Sequence, residues 1–252
     1  MKQNRFLRII VFFVIATVLS NLFRFDVFSL KENLQTLPEW IYIILITLLE
    51  GSGILVGTVI AFCFFYKRKE SDASLFGTSP GYSILMMTVP VILFTIIGVS
   101  NSINMNSHFY GFFTILCTLV YCIIEEYGWR GYLQGELQDL KPWKKYVLIG
   151  LIWYIWHLPF LTETNILNNL LFLGGLILGS WGIGQVVIST RSICACACFH
   201  LLVQILLYNS LIKNGIDPKQ KQIIIGVCII LWILIIKKWE RANKNRQHDF
   251  KK

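Results

Sequence analysis

The stretch YGFFTILCTLVYCIIEEYGWRGYL, residues 110–133, sets the frame for the whole chain. It begins as an apolar run long enough for about five helical turns and then places Glu125, Glu126 and Arg130 at the end of that run. An ionisable side chain at membrane depth costs roughly 2.5–3.5 kcal/mol on insertion scales, so a chain that keeps several of them there uses them.

Composition shows that membrane depth is the right frame. Of 252 residues 55% are hydrophobic and only 15% charged, with a mean hydropathy of +0.61, well outside the soluble range. Apolar runs near the span of a bilayer recur at about 6–29, 40–66, 82–99, 110–126, 145–161, 167–188, 192–211 and 222–238. The expected fold is therefore all-α: a polytopic membrane bundle of about eight transmembrane helices with short loops. Residues 1–252 read as a single domain, with no repeat, low-complexity linker or soluble module, and the motifs fall within about 110–210.

The first run follows Lys2, Arg5 and Arg8 but lacks a clean small-x-small cleavage site, so it reads as a retained helix rather than a signal peptide. Arg24 and Asp26 are expected to snorkel towards the far interface. In the second run Glu50 precedes Gly51-Ser52-Gly53, which reads as a helix-packing notch in preference to a cavity wall.

Alternating the loops puts 18 of the 23 Lys and Arg residues on one side, which predicts both termini in the cytoplasm and an even number of spans. The net charge of +9 is thus chiefly a topology signal, although the tail from Lys237 to Lys252 also suits anionic headgroups. Nucleic-acid binding would need a basic soluble domain, which the chain lacks. The expected location is the cell membrane, as a multi-pass protein in contact with the lipid bilayer. All seven cysteines lie in apolar runs and read as small buried hydrophobes. In Cys194-Ala195-Cys196-Ala197-Cys198 a spacing of two turns neighbours about 200° apart on a helix, so the three cannot share a metal.

Spacing separates the two glutamates. Glu126 and Arg130 stand four apart on one helix face and can form an ion pair, while Glu125 points about 100° away, near Trp129, where it is available to face a cavity. The plainer reading has both carboxylates capping a helix end in headgroup water. His157 lies in Trp153-Tyr154-Ile155-Trp156-His157-Leu158-Pro159-Phe160, and Pro159 should open the local carbonyl ladder. Taken alone, that histidine fits an interfacial aromatic belt. His200 is embedded in an apolar run with Gln204 four residues on, on the same face, and an interhelical hydrogen bond is its plainer reading. Together, a carboxylate and two histidines, one with an amide beside it, supply what hydrolysis needs. A glutamate and a histidine hold and deprotonate water, and a histidine with an amide donates to the oxyanion.

Glu125-Glu126-x-x-x-Arg130, then an aromatic-x-x-x-His ending at His157, then His200 on a later helix, resembles the CAAX-type intramembrane endopeptidases and their bacterial relatives (the CPBP or Abi group), which include bacteriocin-processing and self-immunity proteins. The resemblance implies that Glu125 is the catalytic base, that Glu126 pairs with Arg130, that His157 positions the water and that His200 supports the oxyanion. Two positions depart from the pattern. Trp153 stands where phenylalanine is usual, and Gln204 stands where asparagine or aspartate is usual. A zinc site of Glu125, His157 and His200 would also activate water, but there is no HExxH, and the metal-free glutamate mechanism is preferred, with no cofactor.

The expected activity is hydrolysis of a peptide bond in a membrane-anchored or hydrophobic peptide, in bacterial peptide maturation or self-immunity. A non-catalytic scaffold or sensor of the same fold is the alternative. A small-solute transporter is a weaker one, since the sequence shows no matched halves.

Overall fold

Each of the eight apolar runs is helical in the computed structural model, which describes residues 5–65 and 73–249. Lys2, Lys67-Arg68-Lys69, Lys251 and Lys252, counted above for orientation, lie outside the described residues. In chain order the helices are α1 (Arg5–Arg24), α2 (Leu30–Leu34), α3 (Glu39–Ile60), α4 (Pro80–Ile97), α5 (Ser107–Glu126), α6 (Gln134–Glu136), α7 (Pro142–His157), α8 (Ile166–Thr190), α9 (Ile193–Val203), α10 (Ser210–Lys213) and α11 (Pro218–Asp249). Three π-helices interrupt or extend them: Ala61–Phe65 after α3, Tyr127–Leu133 after α5 and Gln204–Tyr208 after α9. The described residues contain no strand, only an isolated bridge between Ser74 and Ser192.

Among the described residues six helices are long and apolar enough to cross a membrane. The other two expected spans are shorter. α7 has 16 residues and the apolar part of α9 with its extension runs Ile193–Leu207. At about 1.5 Å per residue these reach roughly 22–24 Å, against about 30 Å of hydrocarbon. Local chemistry sets the limits of α7. Pro142 opens it at a position that needs no N–H, and Pro159 disfavours helix at the residue before it, so Leu158 turns left-handed at φ 51°. Pro159 therefore ends the helix at His157 and starts a short 3-10 turn. The protein is a multi-pass integral membrane protein, and Phe6, Ile10, Val14 and Val18, four apart on α1, form an exposed face suited to lipid. Cys63 is exposed and Cys117 only part-buried, which corrects the expectation for those two. The other five cysteines are buried.

The chain forms two compact units. The first combines the described residues up to Ala73 with Ile124–Gln185. Here the Gly51-Ser52-Gly53 notch does what small residues do between membrane helices. A Cβ on Gly53 would clash with Ser20, and one on Gly57 would come within 3.0 Å of the Phe12 carbonyl, so α1 and α3 lie backbone to backbone. Arg8 pairs with Glu136 at 2.8 Å and Arg5 pairs with Asp139, which brings the start of α1 to the segment after α5. At the other end of α1, Arg24 departs from the expected snorkelling role. Its Nη1 donates to the carbonyls of Trp156 (3.2 Å) and His157 (3.1 Å), two of the C-terminal acceptors of α7. Lys31 of α2 pairs with Glu50 at 3.0 Å.

The second unit comprises Ser74–Ile123 and the described residues from Val186 onward. The first-turn donors of α9 are satisfied by a neighbouring loop. Ile193 N–H donates to Ser74 O, Cys194 N–H to Leu75 O, and Ala195 N–H to the N-cap hydroxyl of Ser192. Gly77 makes that approach feasible, since its φ is +63° and a Cβ would strike the Thr190 carbonyl. Indole donors tie α4 and α11 together, Trp232 Nε1 reaching Met86 O at 2.9 Å.

Candidate active site

In the first unit α5 ends at Glu126 and the backbone widens into the π-helix Tyr127–Leu133. Gly128 and Gly131 hold α-helix weakly, and Gly128 lets the turn press on α3, where a Cβ would clash with Ile54. Arg130 meets Glu126 side-on, Nε to Oε2 at 3.2 Å and Nη1 to Oε1 at 3.4 Å, and neither side chain is accessible to solvent. The guanidinium also lies 4.8 Å from the centre of the Trp153 ring. The ion pair expected from the four-residue spacing is therefore present and wholly buried. Glu125 is 1% exposed and accepts a hydrogen bond from Trp129 Nε1 at 3.3 Å. The neighbouring indole orients this carboxylate as well as lying beside it.

Trp129 leads from Glu125 towards His157 through aromatic contacts. Its ring lies 5.9 Å from Trp153 and 5.7 Å from Trp156, centre to centre. His157 is the last residue of α7, stacked on Trp153 at 6.3 Å, edge-on to Trp156 at 4.7 Å and against Phe172 at 5.3 Å. It is half-buried among these rings, which fix its plane. Arg24 sits over Trp156 at 4.5 Å while holding the His157 carbonyl, so it supports both the backbone and one wall of this group.

His200 and Gln204 belong to the second unit, and the structure brings them together there. His200 is 2% exposed, and Gln204 Nε2 lies 3.5 Å from His200 Nε2. Gln204 also begins the π-helix Gln204–Tyr208, and its carbonyl accepts from Asn209 N–H at 2.8 Å. Among the described residues no three His, Cys, Asp or Glu side chains are gathered closely enough to hold a metal ion, so the zinc arrangement of Glu125, His157 and His200 finds no support there.

Several elements of this site escaped the sequence reading. π-Helix is well under about 1% of residues in soluble proteins and tends to mark functional positions, and here two of three π segments carry Arg130 or Gln204. The paired glycines around Trp129-Arg130 were the available signal. Arg24 was visible as a charge but not as the partner of a helix 132 residues further on.

One comparison with known proteins bears on the segment that carries these residues. Residues 106–206 match the family model described as type II CAAX prenyl endopeptidase Rce1-like. Over that segment, about two fifths of the chain, the protein is similar to the CAAX-type endopeptidases. The Rce1-like segment takes in Glu125, Glu126, Arg130, His157, His200 and Gln204. No curated protein matches the chain. No solved structure matches it either.

Proposed function

We propose that the protein is an intramembrane endopeptidase that hydrolyses a peptide bond in a membrane-associated peptide or protein. The reading rests on one observation: a buried carboxylate, Glu125, held by Trp129 beside a separate, charge-neutralised pair, Glu126–Arg130, within the family-matched segment. Glu125 takes the proton from water as it attacks the scissile carbonyl, and His157 orients that water. His200 with Gln204 donates to the oxyanion, and Glu125 then returns the proton to the leaving amine. The chemistry uses protein groups alone. The Lys-, Ile- and Asn-rich composition suits a bacterial source, and a leader, pheromone or bacteriocin-like peptide in maturation or self-immunity is a better fit than a prenylated substrate. Comparing membrane peptides from cells with the wild-type protein and with Glu125→Ala tests this directly. A specific peptide should accumulate in the variant, and unchanged peptide profiles would defeat the reading.

Gln204 gives a second test. As an oxyanion donor it should tolerate Gln204→Asn, whereas Gln204→Leu should lower turnover of an accumulating peptide by about 10²–10³ at unchanged abundance. A purely packing role predicts that leucine is accepted, because lipid does not penalise it.

We further propose that both termini are cytoplasmic. The pairing of Arg5 and Arg8 with Asp139 and Glu136 supports this by gathering basic segments at one end of the first unit. Tags on both termini should report cytoplasm, and a cysteine placed within 101–108 should react with an impermeant label from outside. A C-terminus found outside would overturn the orientation.

A further inference from the structure

The first unit contains a buried polar group that the proposed chemistry does not use. In the described helices Thr58, Thr95, Thr114, Thr118 and Thr190 each settle their hydroxyl by donating to the carbonyl four residues back. Ser180 of α8 does not. It is fully buried, and its Oγ has no hydrogen-bond partner among the described residues. Gln134, 7% exposed, donates through Nε2 to Gly184 O at 3.5 Å, yet its Oε1 is likewise buried without a partner. Tyr146, 2% exposed, accepts at its hydroxyl from Gln185 Nε2 at 3.1 Å, which leaves the phenol hydrogen to be donated.

Two of these groups, Gln134 and Tyr146, meet against α8. A Cβ on Gly184 would clash with the Tyr146 ring and lie 3.1 Å from Gln134 Oε1, so ring and amide oxygen flank the same spot on α8. Ser180 stands one turn earlier on that face of α8. Gln134, Arg130 and Glu126 follow one another at four-residue intervals on the facing segment, where Arg130 Nη2 reaches Gly179 O at 3.5 Å. A buried acceptor and a buried hydroxyl left unpaired would each carry an uncompensated desolvation penalty. One water, which needs two to four polar partners, satisfies both, with the phenol as a third.

We propose that Gln134 Oε1, the Tyr146 hydroxyl and Ser180 Oγ hold an ordered water alongside the Glu126–Arg130 pair, and that this site is the inlet for the water consumed at Glu125. The second clause rests on the hydrolytic reading above. The first does not. The reaction uses one water per bond cleaved, and in an apolar surrounding that water must be delivered by polar groups in series.

Radiolytic labelling in ¹⁸O water tests the site without catalysis, because hydroxyl radicals formed from a bound water modify the side chain beside it. Tyr146, almost wholly buried, should be labelled in the wild-type protein in native membranes and labelled less in Ser180→Ala. For the inlet, Ser180→Ala should lower kcat on the order of tenfold with KM unchanged, the effect of one lost hydrogen bond in the delivery path. A dry packing contact predicts instead that deleting an unpaired hydroxyl leaves kcat at the wild-type value and raises the melting temperature. Unlabelled Tyr146 overturns the water site, and wild-type kcat in Ser180→Ala overturns the inlet. An active Glu125→Gln variant would remove the hydrolytic reading while leaving the labelling result standing.

Discussion

Replacing Glu125 with glutamine should abolish peptide turnover while the protein remains inserted and at normal abundance. Glutamine has nearly the same volume and keeps an acceptor for the Trp129 indole, which donates to Glu125 Oε2 at 3.3 Å, so the local packing has no reason to collapse. What it loses is the ability to take a proton. General-base catalysis is worth about 10²–10⁴ in rate, and turnover should fall by at least that factor. Glu125→Ala should be equally inactive but should also loosen Trp129, visible as a change in tryptophan emission that the glutamine variant lacks. Full activity in Glu125→Gln would sink the mechanism outright.

The second large effect is on stability. Arg130→Ala leaves the Glu126 carboxylate in a place with no solvent access, and it also removes the cation stacked on Trp153. Breaking a fully buried pair from one side costs about 3–5 kcal/mol, because the remaining charge is uncompensated. Arg130→Ala should therefore lower the melting temperature and the amount of inserted protein, and Glu126→Ala should do the same. The double variant Glu126→Gln with Arg130→Met should recover most of that loss, since neither buried charge remains. If the double variant is as unstable as the two single changes added together, the pair is not the source of the effect. These variants separate the two adjacent glutamates by what fails: chemistry at Glu125, folding at Glu126.

How much of this was legible in the sequence depends on how local each feature is. The Glu126–Arg130 pair, the Glu125–Trp129 contact, the stacking of His157 on Trp153 and the approach of Gln204 to His200 all lie within four residues, where helix periodicity alone brings side chains together. The Gly51-Ser52-Gly53 notch was legible for a related reason, since small residues in an apolar helix have few uses other than close packing. Contacts distant in sequence were not legible. Arg24 was read as an interfacial charge because nothing in an apolar pattern announces that its partner will be the end of α7. Gln134, Tyr146 and Gln185 are unremarkable singly and acquire meaning only when α7 and α8 meet the segment after α5. Span lengths were over-read at α7, because hydropathy continues through Phe160 and Leu161 while Pro159 has already stopped the helix.

The π-helix Tyr127–Leu133 also constrains which changes of length the chain tolerates. A π turn carries one residue more than the α turn it replaces, so removing a single residue between Tyr127 and Leu133 would let the backbone relax to ordinary α-helix. Each later residue would then rotate by about 100° relative to Glu125 and Glu126. Gln134 would turn away from α8, and Glu136 and Asp139 away from Arg8 and Arg5. A substitution keeps the residue count and so the register, whereas a one-codon deletion resets it. Related chains that conserve the chemistry should therefore keep the residue count here as well as Trp129 and Arg130, and a gap in this window would mark a protein that has given up the arrangement.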